Sequence, residues 1–168
     1  MTTPSPAPPA RDRVGRRPRP AGRAAKRGRP LARCYALRVM DTAEGTFTIS
    51  MIPAPGEFGG NVGRFDFTKV FEGDLEAKGI GLMLSCGDPK SGSAGYVAIE
   101  SVDGRLGDRS GGFALAQLGM LYHGSQTLHY EVVPGSGRGE LQGIAGTFHL
   151  QVDADGTHRY ALEYDLPG

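Results

Sequence analysis

The sequence predicts an all-β fold, a single antiparallel eight-stranded barrel preceded by a disordered N-terminal tail. Glycine (27 residues) and proline (12 residues) together occupy 39 of the 168 positions, and neither residue favours the interior of a helix. From residue 44 onward, apolar and polar side chains alternate with a period of two, which is typical of half-buried strands. No run of about 18 apolar residues occurs, so the sequence excludes a transmembrane helix.

The N-terminal segment differs in charge from the rest of the chain. Residues 1–33 carry ten Lys or Arg side chains and one acid, Asp12, a net charge of +9. Residues 34–168 carry nine basic and seventeen acidic side chains, a net charge of −8. With seven of the twelve prolines and few large apolar side chains, the segment cannot bury enough surface to offset its conformational entropy. We therefore divide the chain into a disordered Arg/Pro-rich tail, residues 1–39, and a barrel domain, residues 40–168.

Three interpretations of this tail remain open. Its arginines could bind nucleic acid without sequence specificity through counterion release, or the tail could be a solvated extension that folds back weakly on the acidic barrel. Alternatively, translation starts at Met40, because Arg-, Pro- and Ala-rich sequence is what GC-rich DNA upstream of a start codon encodes. No apolar stretch of about 7–15 residues follows the arginines, so we expect a cytoplasmic protein without a membrane partner.

Three strands are predicted in the first half of the barrel domain. Alternation places apolar side chains on one face of Glu44–Met51, and it places three phenylalanines on one face of Arg64–Asp74. The third strand, Leu75–Cys86, is long and contains Gly79 and Gly81. Glycines inside a strand predict a bend or a bulge at that point.

The second half continues the meander of short strands. Gly95–Asp103 is followed by Asp103-Gly104, a signal for a tight hairpin, then by Arg105–Gly107 and a glycine-rich turn over residues 107–111. The remaining predicted strands are Gly112–Tyr122, Gln126–Val133, Gly146–Asp153 and His158–Asp165. Only residues 139–144 could form a helical turn. Strands at short spacing without crossover helices predict an antiparallel sheet, and closing it into a barrel removes its exposed edges.

Parts of this sequence resemble a known bacterial family, the domain-of-unknown-function family 3224. The stretches Val70–Glu76, Ile99–Leu115, Val132–Gly146 and Tyr160–Asp165 carry the resemblance, which extends over about residues 44–166. It implies an eight-stranded barrel similar to the fold of plant allene oxide cyclase, often as a homo-oligomer. It implies no reaction, because the family has no settled function and a shared fold does not fix one.

Two polar residues, Glu100 and Gln117, are the main candidates for a functional site. By alternation Glu100 shares a face with Tyr96, and Gln117 shares one with Phe113. If these faces point into the barrel, a buried carboxyl must find partners or take up a proton, which suits a general acid or base. A structural pair at the barrel mouth, or exposure to solvent through a one-residue bulge, remain the alternatives.

The leading functional hypothesis is a protein that binds a small apolar or amphipathic molecule in the barrel lumen, without a cofactor. Glu100 and Gln117 would orient that ligand, since an eight-stranded barrel has room for side chains or for one small molecule. The alternatives are a cofactor-free isomerase or cyclase that uses Glu100 as acid or base, and a structural or interaction module whose lumen is only core. The other residues predicted to line the lumen are Phe65, Phe67, Phe71, Tyr96, Phe113, Leu115 and Tyr130.

The remaining candidates for chemistry favour structural interpretations. The loop over residues 134–139 is rich in glycine but lacks the Gly-Lys-Ser/Thr ending and the long helix of a phosphate-binding loop. His129, Glu131 and His149 could meet on neighbouring strands as a metal site, but solvated histidines are the plainer expectation, and we predict no metal. Cys86 ends an apolar strand, so we expect it to be buried and inert.

Overall fold

Nine strands follow one another along the part of the chain that the computed structural model describes, residues 40–56 and 58–167. The tail predicted over residues 1–39 lies outside the described residues. A single 3-10 turn, Pro89–Ser91, interrupts the strands, and no helix in the described ranges has the length and apolarity to cross a membrane. The strands are β1 (Asp41–Ala54), β2 (Val62–Gly73), β3 (Leu75–Asp88), β4 (Ser93–Leu106), β5 (Arg109–Tyr122), β6 (Ser125–Val132), β7 (Arg138–Gly139), β8 (Ala145–Val152) and β9 (His158–Asp165).

Eight of these strands close into a barrel, as the sequence predicts. The order around the barrel is β4-β3-β2-β1-β9-β8-β6-β5, and β5 pairs again with β4. Every pairing is antiparallel. The join between β6 and β8 is the shortest pairing in the ring, a single residue pair, Glu131 and Thr147, whose side chains also hydrogen-bond.

The long loop after β6 completes the sheet beside β5. Where β6 ends, the backbone N–H of Ala114 donates to Ser136 Oγ at 2.9 Å, and the backbone N–H of Val133 donates to the Ala114 carbonyl at 2.8 Å. The two-residue strand β7 then pairs with β5 at Gly111 and Gly112. The glycine-rich stretch therefore satisfies backbone groups of the barrel wall. In the stretch 139–144, where a helical turn was possible, Gly139 belongs to β7 and residues 140–143 form turns with backbone hydrogen bonds between residues three apart.

The two ends of the barrel differ. At the end that carries the β2–β3 and β4–β5 turns, the side chains of Leu141 and Ile144 are buried against the core; we call this the plugged end. The opposite end carries the β3–β4 and β5–β6 connections, and we call it the open end. Towards the plugged end the lumen is filled by a cluster of aromatic rings, in which Phe71 packs edge-on to Phe148 and Tyr160 at 6.1 and 5.8 Å.

The hairpin predicted at Asp103-Gly104 is wrong. Strand β4 runs through both residues to Leu106, and the turn is Gly107–Asp108, with Gly107 in the left-handed region at φ +59°. Gly104 instead pairs with Ala77 of β3. A Cβ on Gly104 would overlap Ala77, so the glycine permits two backbones to approach closely rather than a turn.

The bulge predicted at Gly79 and Gly81 is also wrong. Strand β3 keeps an unbroken register with β2 on one side and β4 on the other. Both glycines point into the lumen, where a Cβ on Gly81 would overlap the ring of Phe67. Their small size serves packing inside the barrel, and not a bend of its wall.

A hydrogen bond made by Tyr160, on β9, is expected to stabilise the plugged end. The Tyr160 hydroxyl accepts a hydrogen bond at 2.9 Å from the backbone N–H of Leu75, which is buried. Tyr160→Phe leaves that N–H without this partner, so we expect the free energy of unfolding to fall by about 1–3 kcal/mol in urea titrations. Tyr122→Phe, at an exposed site, is the matched control and should change it by less than about 0.5 kcal/mol. Equal effects of the two variants would contradict this role for Tyr160.

Candidate functional site

Three polar side chains meet inside the barrel, halfway along the lumen. They are Lys69 of β2, Glu100 of β4 and Gln117 of β5. Their exposed fractions are 3%, 0% and 6%, so all three are shielded from water. Alternation places each on the inward face of its strand, between apolar neighbours.

One carboxylate oxygen holds this group together. Lys69 Nζ donates to Glu100 Oε2 at 2.7 Å, and Gln117 Nε2 donates to the same oxygen at 2.6 Å. Both distances are short, as expected for hydrogen bonds to a charged group. The pair of opposite charges therefore sits in the lumen with a neutral amide as its third member.

Aromatic rings surround the Lys69 ammonium on its other sides. The ring centroids of Phe47, Phe67, Phe71 and Tyr130 lie 4.9, 5.3, 5.8 and 5.8 Å from Nζ. Such ring faces attract a cation, and they also exclude water from it. Burial lowers the pKa of Lys69 below its ordinary value, although the neighbouring Glu100 acts in the opposite direction.

The second oxygen of Glu100, Oε1, is buried and has no hydrogen-bond partner. It lies over Gly79 of β3, where any Cβ would overlap it. Lys69 pairs with Gly79 along the β2–β3 ladder, and Glu100 pairs with Gly81 along the β3–β4 ladder. The ion pair thus crosses β3 at Gly79 and Gly81, two positions where β3 has no side chain.

A pair of tyrosines leads from this group towards the open end. The hydroxyls of Tyr96 and Tyr130 share a hydrogen bond. Burial raises the pKa of Tyr96. Burial, the Tyr96 hydroxyl and the negative charge of Glu100 together raise the pKa of Tyr130. Both phenols therefore stay neutral at physiological pH and act as hydrogen-bond donors and acceptors.

A cleft of about 390 Å³ lies at the open end, beyond Tyr96. Most of its lining is apolar, and Ser85 and Gln126 add polar groups at its wall. The inward-facing residues that form its apolar part are Met51, Phe65, Met83, Ala94, Tyr96 and Leu121. The lumen is therefore packed towards the plugged end and accessible at the open end.

The structure brings some of the predicted site residues together and separates others. Glu100 and Gln117 are in direct contact, as are Tyr96 and Tyr130. Of the nine residues predicted to line the lumen or orient a ligand there, Phe65 and Tyr96 line the cleft. The others are buried below it: Glu100, Gln117, Phe67, Phe71, Phe113, Leu115 and Tyr130.

Lys69 is the residue that our sequence analysis missed. It lies two positions after Phe67 and two before Phe71, so the alternation that places those rings in the lumen also places Lys69 there. The alternation was therefore sufficient to place Lys69 inside, but a lysine is expected to be exposed to solvent unless an inward carboxylate is paired with it.

The other candidates lie on the outside of the barrel. His149 of β8 is 3.6 Å from a carboxylate oxygen of Glu163. No three His, Cys, Asp or Glu side chains in the described ranges come together in a way that could hold a metal ion. The burial predicted for Cys86 is wrong: the thiol is exposed at the rim of the cleft and donates to Asn61 Oδ1 at 3.0 Å, because alternation places Cys86 on the outward face of β3 with Leu82 and Leu84.

Comparison with known proteins identifies a matching family whose function is unknown. The family model described as "Protein of unknown function (DUF3224)" matches residues 43–164. A crystal structure of a protein of unknown function from the DUF3224 family of Shewanella oneidensis MR-1 is similar, with 40% sequence identity and a TM-score of 0.73. The match covers 77% of this chain and 99% of that one. No curated protein matches the chain.

The tyrosine pair gives the barrel a specific alkaline response. In the unfolded chain Tyr130 ionises near pH 10, whereas its raised pKa keeps it neutral in the fold. The stability that Tyr130 contributes is therefore complete below pH 10 and lost as pH rises further. We expect the difference in unfolding free energy between the native protein and Tyr130→Phe to shrink by about 1.4 kcal/mol per pH unit above that point.

Urea titrations between about pH 8 and pH 11, on either side of the tyrosine pKa, measure this difference. Leu141→Ala, which removes buried surface at the plugged end without removing a titratable group, is the control, and its difference from the native protein should not depend on pH. A pH-independent difference for Tyr130→Phe would show that the hydroxyl is not held neutral by the fold.

Proposed function

The chain belongs to DUF3224, a family of proteins of unknown function, and we propose that it binds one small apolar or amphipathic molecule in the cleft at the open end of its barrel. The observation that carries this proposal is the cleft itself. Its volume of about 390 Å³ falls in the range of small-molecule sites, which are mostly apolar with a few polar groups. The rest of the lumen is filled by side chains, so the ligand site is confined to this end.

The tyrosine hydroxyls at the floor of the cleft favour an amphipathic ligand over a purely apolar one. Tyr96 lines the cleft and its hydroxyl is bonded to that of Tyr130. A phenol both donates and accepts, so a hydroxyl or carbonyl of the ligand can join this pair while its apolar part contacts Met51, Phe65 and Met83. The sulfur-containing side chains adapt to ligands of different shape.

The ion pair below the floor would contribute to binding by holding the floor rigid. Glu100 and Lys69 do not line the cleft and lie out of reach of a molecule that stops at Tyr96. In this proposal Glu100, Lys69 and Gln117 position Tyr130, and through it Tyr96. The role differs from direct contact between Glu100 or Gln117 and the ligand, which the sequence suggested.

A cofactor-free isomerase or cyclase is the second candidate. The observation that favours it is the unpartnered Oε1 of Glu100, a proton acceptor in an apolar surrounding next to a lysine of lowered pKa. Because Glu100 is fully buried, a substrate would have to displace side chains of the lumen to reach this oxygen. We rank ligand binding first because the cleft requires no such movement.

A series of linear alcohols tests the binding proposal. We expect hexanol through decanol to bind the full-length chain in isothermal titration calorimetry with one site per chain. Affinity should rise about fourfold with each added methylene, since burying one is worth about 0.8 kcal/mol, until the alcohol outgrows the cleft.

Two variants in which phenylalanine replaces an alanine show where the alcohol binds. Ala94→Phe places a ring in the cleft and should abolish saturable binding, whereas Ala145→Phe, at the exposed start of β8, should leave it unchanged. Circular dichroism confirms that each variant is folded. If the native protein shows no saturable binding, or if the two variants bind equally, the cleft is not a ligand site.

A further inference from the structure

The outer face of β3, β4 and β5 is apolar where a barrel wall exposed to water is usually polar. Leu82, Ile99, Val97 and Leu118 point outward with exposed fractions of 40–53%, and Ile80 reaches 67%. We call these five residues, together with Leu84 between them, the apolar face. On an antiparallel sheet with one face in water, alternate residues are expected to be polar on that side, so a contiguous apolar face marks an interaction surface.

The strand register arranges the apolar face, apart from Ile80, in two adjacent rows, the first of which also includes Ala116 of β5. In the first row, Leu82 pairs with Ile99, and Ile99 pairs with Ala116. In the second row, Leu84 pairs with Val97, and Val97 pairs with Leu118. The two rows are therefore nearly equivalent in size and chemistry, each crossing the same three strands.

Each row ends in a charge on β2, and the two charges are opposite. Asp66 pairs with Leu82 at the end of the first row, and Arg64 pairs with Leu84 at the end of the second. Their side chains form an exposed ion pair at 3.0 Å. Exchanging the two rows therefore maps apolar residues onto apolar residues and a positive charge onto a negative one.

We propose that the apolar face is the interface of a homodimer, with the two-fold axis crossing the strands between the two rows. Such an axis lays the first row of one copy on the second row of the other, so that Leu82 faces Leu84 of the partner subunit. The same operation places Arg64 opposite Asp66 of the partner subunit, and Asp66 opposite the partner's Arg64. A surface that is complementary to its own rotated copy is what an isologous interface requires.

The charges around the apolar face favour a second copy over other occupants. The middle of the face is uncharged, and residues 34–168 carry a net charge of −8, which opposes contact with nucleic acid or an anionic membrane. The composition of residues 1–33, with few large apolar side chains, also favours a second copy as the occupant of an apolar face. The interface lies on the barrel wall, so its test is independent of the ligand-binding proposal.

Sedimentation velocity of the full-length chain measures the assembly directly. We expect a species of twice the chain mass of 17.8 kDa. Ile99→Glu should weaken dimerisation by about tenfold or more, because it places a charge at the centre of the interface. Val70→Glu, an exposed aliphatic position on β2 beyond the two rows, is the matched control and should leave the dimer intact.

A charge exchange tests the position of the axis. Arg64→Asp and Asp66→Arg should each weaken the homodimer, because each brings like charges together across the proposed axis. An equimolar mixture of the two variants should form a heterodimer as tight as the native dimer within about threefold, since opposite charges then face each other twice. Each substitution breaks the partly exposed Arg64–Asp66 pair, so circular dichroism must confirm that both variants are folded.

Three results would overturn the proposal. They are a monomer at high micromolar concentration, an assembly that Ile99→Glu does not affect, and a trimer or other state that a two-fold axis cannot generate. A failure of the charge-exchange mixture to recover dimerisation would refute the proposed axis even if the apolar face is an interface.

Discussion

The ion pair between Lys69 and Glu100 is the constraint around which the lumen is arranged. Removing two charges from water costs several kcal/mol for each ion, and only close pairing and further hydrogen bonds offset this. The barrel supplies the hydrogen bond from Gln117 and the aromatic rings around Nζ. Strand β3 lies between the two partners and has glycines at positions 79 and 81, where a side chain would prevent them from meeting. Four successive strands, β2 to β5, therefore have their register coupled to one contact.

This contact divides the lumen into two parts with different roles. Towards the plugged end the aromatic cluster and Leu141 complete a solid core. Towards the open end the Tyr96–Tyr130 pair ends the polar network, and the cleft begins. For the proposed function, a rigid floor below the cleft would lower the ordering cost of binding, because its polar groups are already held in place. The barrel thus combines a solid core and an accessible cleft along one axis.

Much of the fold follows from the sequence, because alternation depends only on local order. The period of two was sufficient to place Phe67, Phe71 and Phe113 inside and to predict a closed antiparallel barrel. Glycines were harder to interpret, since Gly79 and Gly104 look like bulge or turn signals but serve contacts with neighbouring strands. Those contacts depend on register, which a single sequence does not specify.

The candidate site was predictable in part for the same reason. Alternation identified Glu100 and Gln117 as inward-facing polar residues, but their partner Lys69 comes from a strand that is not adjacent to β4. The contact crosses β3, which lies between β2 and β4 and has glycines at the two crossing positions. The role of these glycines can be recognised only once the register of the three strands is known. The cleft could not be predicted either, because its walls combine residues of six strands, β1 to β6, and of the β3–β4 connection.

A double-mutant cycle on the ion pair tests this account most directly. Lys69→Met and Glu100→Gln each leave a buried polar or charged group without its partner, so each should lower the free energy of unfolding by about 3–5 kcal/mol. The account predicts that the double variant is at least as stable as either single variant, measured by urea titration. Additive losses, within about 0.5 kcal/mol of the sum of the single variants, would contradict the claim that this pair organises the barrel.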